Sequence, residues 1–117
     1  RKFIAFDALI SPETLIDVKC LTNQLEREFA TAAKGQPARP INLDPGYIES
    51  SKLILASMKN FSHRIYLNRG VYAEVTLMYH KGEWCPLKWT FPDYASPRYH
   101  GFLTEARRRM REQLSEI

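Results

Sequence analysis

The sequence predicts an α+β domain, a mainly antiparallel sheet with helices packed chiefly on one face. Three observations predict it. Leu15, Val18, Leu21, Leu25, Phe29 and Ala32 recur three or four apart, the spacing of one helical stripe. Residues 63–79 instead alternate apolar and polar with a period of two, as paired strands do. A second stripe, Tyr99, Leu103, Ala106, Met110 and Leu114, returns to the helical period at the end. The 117 residues suffice to bury one core, so the chain reads as a single domain.

Residues 2–8 are rich in Phe and Ile and precede a turn, which predicts a strand covered on both faces. Ser11-Pro12-Glu13 is a helix start: Ser as N-cap, Pro at the first helical position, an acid in the first turn. Gly35 follows the last apolar position of that stripe, where a helix ends. A Pro-bearing connection spans 36–40. Ile41-Asn42-Leu43-Asp44 then alternates as a short strand, and Pro45-Gly46 turns the chain. Residues 49–60, with Leu53, Ile54, Leu55, Ala56 and Met58, read as a buried helix.

The next stretch specifies a register. A three-residue loop, Asn68-Arg69-Gly70, pairs Leu67 with Val71, Tyr66 with Tyr72, Ile65 with Ala73 and Arg64 with Glu74. Ile65, Leu67, Val71, Ala73, Val75 and Leu77 then share an apolar face. Arg64, Tyr66, Tyr72, Glu74, Thr76 and Met78 share the other. A one-residue slip would mix the two faces, so the pattern selects this pairing. Gly70 supplies the left-handed residue that the loop needs. By the same parity His63 falls on the apolar side. Lys81-Gly82 marks another turn, and residues 84–89 form an edge strand because Pro86 cannot donate to a ladder. Residues 90–95 are an aromatic loop, and Ser96-Pro97 opens the last helix.

Composition sets the function classes. With 44% hydrophobic and 26% charged residues, the chain is ordinary for a globular protein, and no apolar run approaches a membrane span. No signal pattern precedes it, and the two cysteines, Cys20 and Cys85, lack disulfide or metal spacing. The chain therefore reads as cytoplasmic, without membrane contact. The first residue is Arg1 rather than Met, which leads us to expect that residues upstream of it are missing or were removed. A net charge of +4 suits an anionic partner without requiring one.

The chemistry-bearing residues concentrate in 41–77. Arg64 and Glu74 face each other, Tyr66, Tyr72 and Thr76 flank them, and Asn42 and Asp44 come from a strand expected alongside. Convergent donors and acceptors of this kind suit a small anionic or nucleotide-like ligand. Arg64, Lys52 and Tyr66 would contact its anion or hydroxyls, with Asn42, Tyr47 and Tyr72 lining the site. Asp44 and Glu74 are the acid/base candidates, although bonding the backbone of its own turn is the stronger reading for Asp44. No histidine pair has zinc-ligand spacing, so no metal is assigned; an oxygen-ligand cation at Asp44 and Glu74 is the weaker alternative. Phosphate-binding glycine loops and nucleophile elbows are absent, and no cofactor is indicated. Arg107, Arg108, Arg109 and Arg111 share their helix with Glu105, Glu112 and Glu116, which favours a solvated face. The alternative function is thus a non-enzymatic RNA- or protein-binding module using that basic helix.

At INLDPGY, HRIYL, YAEVTL and WTFPDY the sequence resembles an uncharacterised bacterial family, catalogued as domain of unknown function four-four-one-six. The resemblance runs through nearly the whole chain. It implies sequence upstream that opens with a strand and a helix. With these, the strand at 2–8, the helix from Pro12 and the strand at Ile41 would complete a βαββαβ, ferredoxin-like order. The chain departs from the family pattern at Asn68-Arg69-Gly70, where Gly-Asp-Gly is expected.

Overall fold

The computed structural model describes residues 2–32 and 41–117. The expected helix stop at Gly35 and the connection 36–40 lie outside them. Helix α1 (Thr14–Ala32) starts where Ser11-Pro12-Glu13 directs, with Thr14 N donating to Ser11 O at 2.9 Å. Five strands follow: β1 (Gly46–Glu49), β2 (Lys52–Ser57), β3 (Arg64–Asn68), β4 (Val71–His80) and β5 (Glu83–Pro86). They form one sheet in the order β1-β2-β4-β3, with β5 also on β4, and every pairing is antiparallel. A short helix α2 (Pro92–Ala95), a 3₁₀ turn at Pro97–Tyr99 and helix α3 (His100–Ser115) close the chain. The class is α+β, as the sequence predicts.

The helices divide between the two faces of the sheet, which corrects the one-sided packing expected. Leu15 of α1 is buried with Ile54, Ala56 and Val71 on one face. Leu103 of α3 and Tyr94 of α2 are buried with Leu53, Leu77 and Trp84 on the other. Alternate residues of β2 thus feed opposite cores: Ile54 and Ala56 face α1, while Leu53 and Leu55 face α3. Such a strand has no polar side to display. That explains why 49–60, expected as a helix, is a strand reached through a Ser50-Ser51 turn. A short continuous apolar run looks the same in either state.

Two other strands expected from sequence do not form. Residues 2–8 pair with no strand; Phe3 is instead held against Tyr94, Tyr99 and Phe102, with centroids 4.7–5.6 Å away. Residues 41–45 carry no ladder, and the strand begins at Gly46. Without these elements the described residues have no ferredoxin-like order. Gly46 is also not a turn residue. A Cβ there would meet the Ile54 carbonyl at clash distance and Leu55 Cδ2 at 2.6 Å, so glycine lets β1 approach β2 closely. Gly46→Ala should cost about 2–3 kcal/mol, since the obstacle is backbone. Urea denaturation measures it, and a neutral result would show that the hairpin can part freely.

The β3–β4 register is the predicted one at Arg64↔Glu74, Ile65↔Ala73 and Tyr66↔Tyr72. It departs at the loop. Asn68 pairs with Val71, Leu67 bulges, and a two-residue turn remains with Arg69 at φ 50° and Gly70 at φ 79°. Both central residues of such a turn need positive φ, which glycine provides freely and arginine does at some cost.

A second bulge reverses the expected face of Leu77. Leu53 pairs with Leu77 but Ile54 with Val75, leaving Thr76 extra. Leu77 therefore joins Leu53 in the core under α3 instead of following Val71 to α1. On the other side of β4, β3 reaches Glu74 and β5 begins at Leu77, so Val75 and Thr76 have no strand partner there. Trp89 Nε1 donates to Val75 O (2.7 Å) and Thr90 Oγ1 to Thr76 O (2.6 Å), filling the gap. Buried carbonyls left without partners would be costly. The predicted apolar face is also partly open: Ile65 is 70% exposed and Leu67 is exposed.

Candidate functional site

The face expected to be polar is polar and largely covered. Glu74 and Thr76 are buried. Glu74 Oε1 accepts from His63 Nε2 (2.8 Å) and Arg64 Nε (3.0 Å), and Oε2 accepts from Thr76 Oγ1 (2.9 Å). Arg64 Nη1 donates onward to Ser57 Oγ and Lys59 O, both at 3.0 Å. His63 was expected on the apolar side. It lies in the turn before β3, where strand alternation does not apply, and its ring swings over Glu74. There it stacks between Trp89 (4.8 Å, 13°) and Phe61 (6.0 Å, 18°). Tyr66 and Tyr72 continue this face as a tilted pair at 5.2 Å. Both oxygens of Glu74 are thus occupied by donors from the chain itself. A buried carboxylate held in this way joins β3, β4 and the 58–63 connection.

The remaining expected members lie elsewhere. Tyr47 pairs with Ile54 and packs toward α1, on the opposite face from Glu74. Burial pushes its phenol above the usual tyrosine range. Lys52 pairs with Glu49 at the far end of β2, and that ammonium holds the Glu49 carboxyl below its usual range. Asn42 and Asp44 are exposed in the segment before β1, a strand that β2 separates from β4. The structure therefore brings Arg64, Tyr66, Tyr72 and Glu74 together and leaves Asn42, Asp44, Tyr47 and Lys52 apart from them. Among the described residues no three His, Cys, Asp or Glu side chains converge to hold a metal.

A different cationic group has charge to spare. On α3, Arg108 pairs with Glu105 and Glu112, which hold it firmly protonated, and Arg109 pairs with Asp7. Arg107 and Arg111, one helical turn apart, pair with no carboxylate among the described residues. Both reach the tip of the β1–β2 hairpin: Arg107 Nε donates to Ser50 O (2.9 Å) and Arg111 Nη1 to Ser50 Oγ (3.0 Å). The Arg107 guanidinium lies 3.8 Å from the centre of the Tyr79 ring, which fixes its plane. With Thr104, Arg108, Glu112 and Ser115 these two arginines line an open cleft of about 430 Å³.

A signal for this pair exists in the sequence. Arg108 and Arg109 each have a glutamate three or four positions away, whereas Arg107 and Arg111 have none. On a helix those are the neighbours that neutralise a charge. Counting acids along the whole helix hides the difference.

Among the described residues no helix is long and apolar enough to cross a membrane. The family described as Domain of unknown function (DUF4416) matches residues 1–110, and the chain belongs to it. No curated protein and no solved structure gives a match.

Proposed function

We propose, for this member of the Domain of unknown function (DUF4416) family, a domain that binds a small anionic, phosphate-bearing or nucleotide-like ligand. The observation that carries this reading is the pair Arg107 and Arg111, converging on Ser50 without a carboxylate of their own. Two guanidinium groups one turn apart, one of them fixed against Tyr79, form a preorganised fork for phosphate oxygens. The hydroxyls of Ser50, Thr104 and Ser115 are close enough to the same cleft to add neutral contacts. A cytoplasmic location belongs to this reading and is supported by two free thiols, Cys20 and Cys85.

The test uses inorganic phosphate against chloride at matched ionic strength, followed by amide chemical shifts and by melting temperature. Phosphate should raise the melting temperature and shift the Ser50 and Ser51 amides in a saturable manner. Charge-assisted hydrogen bonds contribute about 1.5–3 kcal/mol each, and about 1.4 kcal/mol is tenfold in affinity. Arg107→Gln or Arg111→Gln should therefore weaken binding at least about tenfold, while Arg109→Gln leaves it unchanged. Phosphate also stabilises proteins nonspecifically. Equal responses in the wild type and in the Arg107→Gln/Arg111→Gln double variant would therefore refute the site. Binding seen only with a polynucleotide, and steeply weakened by salt, would replace this reading with a nucleic-acid one.

A further inference from the structure

Strand β3 is an edge of the sheet: β4 pairs along one side, and no strand among the described residues pairs along the other. Exposed edges are normally guarded by lysine, proline or an inward-pointing charge, because their free amides and carbonyls otherwise template pairing with another chain. β3 has little such protection. Its one charged residue, Arg64, turns its side chain inward onto Glu74 and is 10% exposed. Its outward residues are Ile65, Tyr66 and Leu67, at 70%, 56% and 38% exposure. Met58 and Phe61, in the connection that precedes it, are also exposed large apolar side chains. The Leu67 bulge is the only guarding device, and it shortens the strand rather than charging it.

From this surface we infer that β3 pairs antiparallel with β3 of a second copy of the chain. The inference is independent of the anion-binding reading. Two features select a second copy as the occupant. The first is the order Arg64-Ile65-Tyr66-Leu67-Asn68, which runs polar, aliphatic, aromatic, aliphatic, polar and so reads alike in both directions. A two-fold axis at Tyr66 sets Ile65 opposite the partner's Leu67, Tyr66 opposite the partner's Tyr66, and Arg64 opposite the partner's Asn68. No like charges meet, and each apolar residue meets another, as an isologous interface requires. The second is the distribution of charge. Two copies of a +4 chain repel unless they meet where charge is locally cancelled. Around β3 it is largely cancelled: Arg64 is paired with Glu74 and Arg69 with Asp17, which leaves Lys59 of the preceding connection as the nearby cation without a carboxylate among the described residues. The unpaired Arg107 and Arg111 belong to α3, which contacts β1 at the opposite edge of the sheet. A dimer joined at β3 keeps them at its outer ends.

Sedimentation equilibrium of the whole chain across a wide concentration range, without phosphate, tests the pairing. The mass should rise toward that of a dimer with concentration. Ile65→Lys places a charge on an exposed side chain of the edge and should return the protein to a monomer, with circular dichroism confirming that it remains folded. A second measurement does not depend on that variant. In a background carrying Cys20→Ala and Cys85→Ala, Tyr66→Cys should form a disulfide-linked dimer on mild oxidation, and Ile4→Cys, more exposed still but outside the sheet, should not. A wild type that stays monomeric at every concentration overturns the inference. So does a dimer that persists in Ile65→Lys, or equal cross-linking at positions 66 and 4. A dimer lost only in Arg107→Gln/Arg111→Gln would place the contact at α3 and also overturn it.

Discussion

Glu74→Ala should destabilise the domain by about 3–5 kcal/mol, the usual cost of removing one partner from a buried ion pair. The Glu74 side chain is 6% exposed and that of Arg64 10%. Removing the carboxylate leaves a buried guanidinium with only Ser57 Oγ and Lys59 O, and leaves His63 and Thr76 without their shared acceptor. Arg64 must then remain charged in an apolar setting or drag β3 toward solvent. Glu74→Gln tests the charge separately from the shape. It keeps one carbonyl acceptor but must present an amide group to at least one of the three donors, and should fall between alanine and wild type. Urea denaturation gives the difference directly, and near the midpoint it corresponds to roughly 3–6 °C per kcal/mol at this chain length. A Glu74→Ala protein within about 0.5 kcal/mol of wild type would behave like a surface substitution. In that case the carboxylate would not be holding the connection and the sheet together.

What the sequence displays and what it conceals follow from how local each feature is. α1 is legible in its start and its period, which lie within one continuous segment, but not in its buried face: Leu21 and Phe29 of the expected stripe are exposed, while Lys19 is buried with Leu15. The facing of Arg64 and Glu74 is legible for a similar reason: a tight turn fixes the pairing and alternation selects the register. β2 is not legible. Its side chains serve two cores, so the polar alternation that marks a half-exposed strand is missing. Tyr47 and Lys52 take their faces from the β1–β2 pairing, which a helical 49–60 does not contain, and both point away from Glu74. Gly46 misled because glycine is needed both for turns and for close backbone approach, and composition does not separate the two. His63 precedes the first paired residue, so parity assigned it the wrong surroundings. Arg107 and Arg111 are legible one residue at a time, through their missing glutamate neighbours, and invisible when the helix is averaged.

The bulge at Thr76 is the feature least readable from sequence, and Leu77→Ala exposes its consequence. Leu77 is fully buried among Leu53, Trp84, Tyr94 and Leu103. Truncating a buried leucine to alanine costs about 2–5 kcal/mol, with the upper part of the range reached where neighbours cannot collapse into the cavity. Here the surroundings are a sheet strand, two large aromatic rings and α3, so the upper half of that range is expected by urea denaturation. Magnitude alone does not report which face Leu77 occupies. A double-mutant cycle does. Residues sharing a cavity show coupling of about 0.5–3 kcal/mol, whereas residues without shared partners add to within about 0.5 kcal/mol. Leu77→Ala should couple with Leu103→Ala on α3 and add independently with Leu15→Ala on α1. In an unbulged β4, Leu77 would continue the Val71, Ala73, Val75 side, and the coupling would move to Leu15. The same extra residue leaves the Val75 and Thr76 carbonyls to Trp89 and Thr90, so the bulge that sets the core on one face also holds the indole that covers His63. Coupling with Leu15 in place of Leu103 would therefore remove the physical reason for the Trp89–His63 stack as well as for the face that Leu77 occupies.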